Sequence, residues 1–223
     1  CCKNKNLVVL DPRANKNILS TMCHESSKAS KLAWMDSDML ITCGFSKPGN
    51  REIKQWDLRK ISDNSCEPLA SVIIDKNSPP ITPYFDKESK LLFVIGKGET
   101  TQYIYDFNGP KIHKCFYFDS KEPATAVGYI DRKIINYNRC ELDRFVKYNK
   151  NVLYNLSFRL PRKAESYDEL LYPPMNCGEP AMTFDEWKSG ATKEPIKKNI
   201  TEISTDFKTG ETVFVKEQKE QKE

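Results

Sequence analysis

A unit of four short strand-like segments recurs along this sequence and limits the chain to very few folds. The first unit comprises segments 31–35, 39–45, 52–58 and 69–75. The second comprises 81–85, 91–96, 102–107 and 112–118. The third comprises 124–130, 133–138, 142–148 and 152–160. Four strands that recur at roughly forty to fifty residues are typical of the blades of a β-propeller.

The turns between these segments recur with them. A charged tight turn follows the first strand of each unit, at Asp36-Ser37-Asp38, Asp86-Lys87-Glu88 and Asp131-Arg132. In two units the third strand ends on an aromatic residue followed by an acid, at Trp56-Asp57 and Tyr105-Asp106. Because strands and turns repeat together, we interpret the units as repeats of one structure.

The first unit has the features of a WD repeat. His24 precedes its first strand, and Trp56-Asp57 closes its third strand. We expect the His24 ring to bond a turn carboxylate, Asp36 or Asp38. Its other nitrogen would bond the hydroxyl of Thr42, which in turn meets the indole N–H of Trp56. The predicted relay set is His24, Asp36, Thr42, Trp56 and Asp57. Buried polar groups need partners, so such a relay would fix the geometry of the blade.

These patterns divide the chain into a propeller part and an extension. The predicted divisions are two last strands of a preceding blade at 1–22, blades at 23–76, 77–119 and 120–163, an extension packing on the propeller at 164–215, and a charged linker at 216–223. The predicted fold is all-β, a WD-repeat β-propeller fragment with a mostly irregular C-terminal extension. Thr183 and Glu186 form a capping-box pattern that predicts a short helix, which Gly190 ends.

Composition and charge narrow the functional classes. The net charge is +4, with 35 basic and 31 acidic residues, which favours acidic partners but is too weak for a nucleic-acid surface. No apolar run approaches the roughly twenty residues of a membrane helix. The eight cysteines include no Cys-x-x-Cys pair, and there are only two histidines. We therefore expect reduced, mostly buried thiols and no metal or other cofactor.

The sequence contains no pattern for catalysis, and we expect a protein that is not an enzyme. Residues 96–101 hold two glycines and a lysine, but they lie between strands and lack the order of a phosphate-binding loop. His24 has a structural explanation in the relay. His113 lies in an outer strand with no acid or nucleophile pattern nearby.

Several stretches resemble the coronin family, over nearly the whole chain up to about Trp187. In the blades they are Gly44-Phe45-Ser46-Lys47, Arg51-Glu52, Trp56-Asp57, Gly96-Lys97-Gly98, Gly128-Tyr129 and residues 138–145. In the extension the resemblance rests on Pro161, Arg162, Lys163, Tyr172, Pro173, Pro174 and Trp187, with the residues between them. WD repeats in general do not carry this second set, so it separates a coronin-like protein from other WD-repeat proteins.

The resemblance implies a seven-bladed propeller, of which this chain would be the later part, with an oligomerising coiled coil beyond the linker. It implies binding to filamentous actin, filament bundling, and a cytoplasmic location at the actin cytoskeleton and cell cortex. It also implies association with anionic membrane lipids and with actin-regulating complexes. The family's best-known actin-contacting basic residues lie in the first half of the ring and have no counterpart in this sequence.

Basic residues predicted on one rim of the propeller are the candidate partner-binding set. This rim is built from the connections that enter each blade and those between its second and third strands. The set is Lys28, Lys47, Arg51, Lys97 and Arg139. Such residues could engage the acidic surface of actin and steer its association with the protein. The alternative is that each is an ordinary solvated side chain. A second functional hypothesis is a WD-repeat adaptor that binds another protein complex or a lipid head group instead of actin.

Overall fold

The computed structural model describes residues 5–60, 65–109, 111–150, 152–161 and 167–203. The chain divides into two compact units, Cys1–Pro123 and Ala124–Glu223. Both consist mainly of antiparallel strands, so the predicted all-β class is confirmed. Arg162, Lys163 and the predicted linker at 216–223 lie outside the described residues.

The first unit contains one hairpin and two four-stranded sheets. The hairpin pairs β1 (Asn6–Asp11) with β2 (Lys16–Met22). The first sheet runs in chain order through β3 (Lys31–Trp34), β4 (Met39–Phe45), β5 (Arg51–Asp57) and β6 (Ala70–Asp75). The second sheet does the same through β7 (Ile81–Asp86), β8 (Leu91–Gly96), β9 (Thr101–Asp106) and β10 (His113–Asp119). All eight strands predicted for the first two units are present.

Burial in each sheet follows the position of the strand. β4 and β8 are second strands, and nearly all their residues are buried, so their apolar runs do not alternate with polar residues. β10, at the outer edge, is exposed along its whole length. β7 lies at the opposite edge and contains Pro83. A proline lacks the N–H needed for a ladder on both sides, so it is tolerated in an edge strand.

Two apolar cores join these sheets. One lies between the hairpin and the first sheet and includes Leu7, Leu19, Leu40 and Trp56. The other joins the first and second sheets, and its buried residues are Met35, Ile41, Cys43, Ile53, Ile81, Leu92, Val94, Tyr105 and Phe107. The six cysteines of the described residues form no disulfide, and four of them are buried. Burial raises the pKa of the Cys43 thiol.

The first unit holds a buried relay centred on His24. The Nε2 atom of His24 lies 3.0 Å from the Thr42 hydroxyl, which also accepts the indole N–H of Trp56 at 2.9 Å. The Nδ1 atom lies 2.7 Å from a carboxylate oxygen of Glu52. His24 lies against Gly44, where a β-carbon would overlap the imidazole ring. The relay therefore connects the segment before β3 to β4 and β5.

The acid of the relay differs from the predicted one. Asp36 accepts the backbone N–H groups of Asp38 and Met39 at 3.0 Å and so closes the β3–β4 turn instead of reaching His24. Glu52 takes that place because it pairs with Gly44 across the β4–β5 ladder, beneath the ring of His24. The predicted links from His24 to Thr42 and from Thr42 to Trp56 are confirmed.

Asp57 is also outside the relay. Its carboxylate accepts the backbone N–H of Arg59 at 3.1 Å and the Nε–H of the same residue at 2.8 Å. These bonds hold the single 3₁₀ turn, Leu58–Lys60, that follows β5. The acid of the Trp-Asp pair thus shapes the turn after the strand.

The second unit contains one three-stranded sheet. Its strands are β11 (Ala126–Ile130), β12 (Glu141–Asn149) and β13 (Val152–Arg159), in that order. The strand predicted at 133–138 is wrong, because two 3₁₀ turns, Arg132–Ile134 and Tyr137–Arg139, occupy this stretch. Asp131 caps the first turn by accepting the backbone N–H of Lys133 at 2.9 Å. Cys140 is left-handed, with φ of 52°, and ends the second turn.

The extension packs against these 3₁₀ turns. Its elements are β14 (Met175–Asn176), α1 (Phe184–Lys188), β15 (Lys197–Lys198) and α2 (Ile200–Ile203). The capping box of Thr183 and Glu186 is confirmed. Tyr172 is buried in a core with Ile135, Tyr137, Met175 and Ile200. Its hydroxyl donates to the Glu141 carbonyl at 2.8 Å, so it links the extension to the start of β12.

The relay predicts a specific loss of stability. Thr42→Val leaves the Trp56 indole N–H and a nitrogen of His24 buried without a partner, which should cost about 2–4 kcal/mol of unfolding free energy in the intact protein. Asp36→Asn keeps the acceptor that closes the turn and should cost less than about 0.5 kcal/mol. Urea unfolding measures both variants. An equal loss in the two would contradict the relay as described.

The relay also predicts a dependence on pH. Burial opposes ionisation of Glu52, but the hydrogen bond from His24 and the charge of Lys54 outweigh it, so its pKa lies below the ordinary value. A lowered folded pKa contributes stability above the unfolded value of about 4.3, and this stability is lost as the pH falls through the folded pKa. Glu52→Gln should therefore destabilise the protein most at neutral pH, and unfolding curves at pH 7 and pH 4 should show the difference shrink. A constant difference would contradict this role.

Tyr172 supplies a test of how the extension is held. Tyr172→Phe removes only the hydroxyl bond and should cost about 1 kcal/mol. Tyr172→Ala also removes the buried ring and should cost about 3–5 kcal/mol. Limited proteolysis should then cut the extension faster in the alanine variant than in the phenylalanine variant. Equal cleavage of wild type and the alanine variant would show that Tyr172 does not anchor the extension.

Candidate interaction surface

One edge of the first unit gathers the connections that carry the predicted basic residues. β4 ends at Phe45 and β5 begins opposite it at Arg51, while β6 ends at Asp75, paired with Arg51. In the second sheet, β7 begins at Ile81, paired with Gly96 at the end of β8. The connections at 24–30, 46–50, 76–80 and 97–100 therefore lie at one edge.

Three lysines on these connections are exposed, and we refer to Lys28, Lys47 and Lys97 as the lysine edge. The ammonium of Lys28 lies 4.6 Å from the centre of the Phe45 ring. The backbone N–H of Lys47 donates to the Glu25 carboxylate at 3.1 Å, which fixes its connection to the segment before β3. In the described part of the chain, neither Lys47 nor Lys97 forms an ion pair with a carboxylate.

Arg51, predicted to belong to the same surface, is buried beneath it and is 1% exposed. Its Nε and Nη2 atoms donate to the two oxygens of Asp75 at 2.7 and 2.5 Å. Its Nη1 atom donates to Glu99 at 2.5 Å and to the Pro79 carbonyl at 3.3 Å. The prediction that Arg51 contacts a partner is therefore corrected, because its charge is neutralised by buried ion pairs with Asp75 and Glu99.

The two carboxylates around Arg51 differ in their ionisation. Burial would raise the pKa of Asp75, but the paired bonds from Arg51 and the backbone N–H of Asn77 hold it below the ordinary value. Burial raises the pKa of Glu99, and the Arg51 bond offsets only part of this effect because Asp75 lies nearby with the same charge. We refer to Arg51, Asp75, Asn77 and Glu99 as the Arg51 cluster.

The acids of this cluster were not predicted from the sequence. Asp75 and Glu99 lie at the end of one strand and in the turn after another, where exposed acids are common. One signal was present at Gly96, where a β-carbon would overlap the Glu99 carboxylate. This glycine lets the acid fold back over its own turn toward Arg51.

The remaining predicted residues lie in the second unit. Arg139 is half-buried in the second 3₁₀ turn. Pro161, Pro173 and Pro174 are exposed, whereas Tyr172 is buried. Trp187 is half-exposed on α1 with its ring 5.9 Å from that of Phe184.

Phe184 and Trp187 line an open groove in the extension. Its other walls are Glu179, Pro180, Ala181, Met182, Thr183, Lys193 and Pro195. The lysines here are already engaged, since Lys193 pairs with Glu186 at 2.9 Å and Lys198 pairs with Glu179 at 2.5 Å. The groove therefore presents apolar and aromatic surface to solvent and little unpaired positive charge.

We searched the described residues for metal-binding side-chain clusters and for membrane-spanning helices. Within them, no group of three or more His, Cys, Asp or Glu side chains is arranged to hold a metal ion. None of the helices in the described ranges has the length and apolar character to cross a membrane. His113 is exposed on β10, as the sequence predicted.

Several known proteins are similar to this chain. A family model described as a type of WD40 repeat matches residues 153–195. Coronin-A of Dictyostelium discoideum is 32% identical over 196 residues, which are 87% of this chain and 43% of the relative. Human coronin-2A is 30% identical over 200 residues, covering 87% of this chain and 37% of the relative.

A solved structure agrees with these relatives. The WD40 domain of Toxoplasma gondii coronin superimposes with a TM-score of 0.83 at 34% identity, covering 88% of this chain and 51% of that chain. The chain thus spans less than half of the curated relatives named above and about half of the solved domain. The strands found here are those of a WD-repeat propeller, and over most of its length the chain is similar to the coronin family of WD-repeat proteins.

Proposed function

We propose that this chain is part of an actin-filament-binding scaffold of the coronin type, and that the lysine edge contacts the filament. The observation that carries the proposal is the exposure of Lys28, Lys47 and Lys97 at one edge of the first unit. Exposed lysines on short, well-anchored connections suit an acidic surface such as that of actin, because they combine long-range attraction with a fixed arrangement. The similarity to coronins supplies the identity of the partner.

The proposed role is that of a scaffold, and it involves no catalytic step. In coronin-type function the protein organises or bundles filaments and links them to membranes at the cell cortex, in the cytoplasm. Bundling would depend on the oligomerisation that the family resemblance implies. Contact with anionic lipids through the extension receives little support from Lys193 and Lys198, because both are paired with carboxylates.

A second candidate is an adaptor that binds a protein other than actin. The groove beside α1 favours it, because Phe184 is 68% exposed and adjoins Trp187. Exposed aromatic residues in a shallow groove are common at protein–protein contacts. This candidate makes the extension, rather than the lysine edge, the site of binding.

A charge-reversal experiment distinguishes the two. The intact protein with Lys28→Glu, Lys47→Glu and Lys97→Glu should bind filamentous actin about tenfold more weakly, because each lost rim charge is worth up to about 1 kcal/mol. Raising the salt concentration should reduce the difference in affinity between the wild type and this triple variant, since screening weakens exposed charge pairs. Co-sedimentation with filaments measures both effects.

The matched control reverses three exposed lysines at the opposite edge of the same unit. Lys16 begins β2, Lys60 follows β5, and Lys87 lies in the β7–β8 turn. Lys16→Glu, Lys60→Glu and Lys87→Glu change the net charge equally and should leave binding within about twofold. Equal loss in both triple variants would reject the lysine edge. Absence of filament binding by the wild type would favour the adaptor.

A further inference from the structure

The Arg51 cluster places two carboxylates against one guanidinium. Arg51 bonds Asp75 and Glu99, and the side-chain amide of Asn77 also donates to Glu99, at 2.6 Å. With both acids ionised, the cluster carries one net negative charge beneath the lysine edge. With one acid protonated, the cluster is neutral and the edge becomes more positive.

Glu99 is the acid that gains a proton first. Its side chain is 9% exposed, against 25% for Asp75, so it has less water to stabilise its charge. Asp75 holds both bonds of a bidentate pair with Arg51, whereas Glu99 has a single bond to it. The other polar groups facing the pair are Asn77 and the Tyr103 hydroxyl of β9, which bonds Asp75. Neither supplies a positive charge to Glu99.

The cluster is tied to the connections that carry the lysines. Glu99 lies two residues after Lys97 in the β8–β9 turn, and Arg51 begins the strand that follows the connection of Lys47. The Arg51 bonds to Asp75 and Pro79 fix the connection between the two sheets. A change of charge in the cluster therefore acts on the surface proposed to bind the filament.

We propose that Glu99 is a proton-linked regulator of the lysine edge, which takes up a proton when the edge binds an acidic partner. The proposal rests on the proposed function of that edge. A negative surface placed over Glu99 disfavours its charged form, so binding and protonation favour each other. Affinity for an acidic partner consequently rises as the pH falls toward the range in which Glu99 titrates.

The direction of the effect follows from linkage. The pKa of free Glu99 is raised by burial, and a bound acidic surface raises it further. Protons are then taken up on binding at pH values between the free and bound pKa values. Wild-type affinity for actin filaments should therefore rise as the pH is lowered from 7.5 toward the range just above the ordinary glutamate pKa, by at most about tenfold per pH unit for one linked proton.

Two variants test the role of Glu99. Glu99→Gln keeps an acceptor for Arg51 but cannot titrate, so it should bind more tightly than wild type at pH 7.5 and show a flat pH profile. Glu25→Gln is the matched control, because Glu25 is an exposed acid at the same edge. It removes the same charge and should keep the wild-type slope. Each variant's affinity is compared with that of wild type on the same filaments at the same pH.

A titration without partner separates this proposal from the proposed function. Carboxyl ¹³C NMR of the intact protein should give Glu99 a pKa above that of exposed glutamates and Asp75 a pKa below its ordinary value. A Glu99 pKa at the ordinary value, or a Glu99→Gln profile as steep as that of wild type, would overturn the proton linkage alone. Absence of filament binding at every pH would overturn the proposed function and, with it, the regulation of binding.

Discussion

The Arg51 side chain is only 1% exposed, so its positive charge must be neutralised inside the protein. The residues at this edge of the first unit supply the neutralising groups. An unpaired guanidinium there would be strongly destabilising, so two carboxylates must reach it. One comes from the end of β6 and the other from the β8–β9 turn, and the two acids belong to different sheets. The requirement of a single buried charge thus fixes the connections that present Lys47 and Lys97.

The His24 relay meets a similar requirement within the first sheet. Trp56 fills the core beside the hairpin, and its indole N–H is satisfied by Thr42 instead of water. His24 then joins Thr42 to Glu52 across Gly44. Apolar burial supplies the driving force in both cores, while the polar groups select one register and one approach of the preceding segment. These bonds connect the segment before β3, which carries Lys28, to β4 and β5.

Much of the fold could be predicted from the sequence, because in the first two units the turn residues and the apolar runs indicate the same strand boundaries. The third unit was harder to predict, because residues 133–138 have the pattern of a strand. Instead, Asp131 accepts the backbone N–H of Lys133, and the backbone N–H of Asn136 donates to the Glu141 carboxylate. The relay acid was missed because the sequence does not show that Glu52 lies across the ladder beneath His24, whereas Asp36 closes its own turn. Arg51 resembled a surface residue for the same reason, since its two acids lie 24 and 48 residues further along the chain.

The central claim is that the edge formed by residues 24–30, 46–50, 76–80 and 97–100 faces an actin filament. Electron cryo-microscopy of the intact protein bound to filaments tests it most directly, because it locates every connection relative to actin. We predict that Lys47 and Lys97 lie within ion-pair distance, about 4 Å, of acidic actin side chains. A structure in which this edge faces solvent, while another surface of the protein contacts the filament, would contradict it.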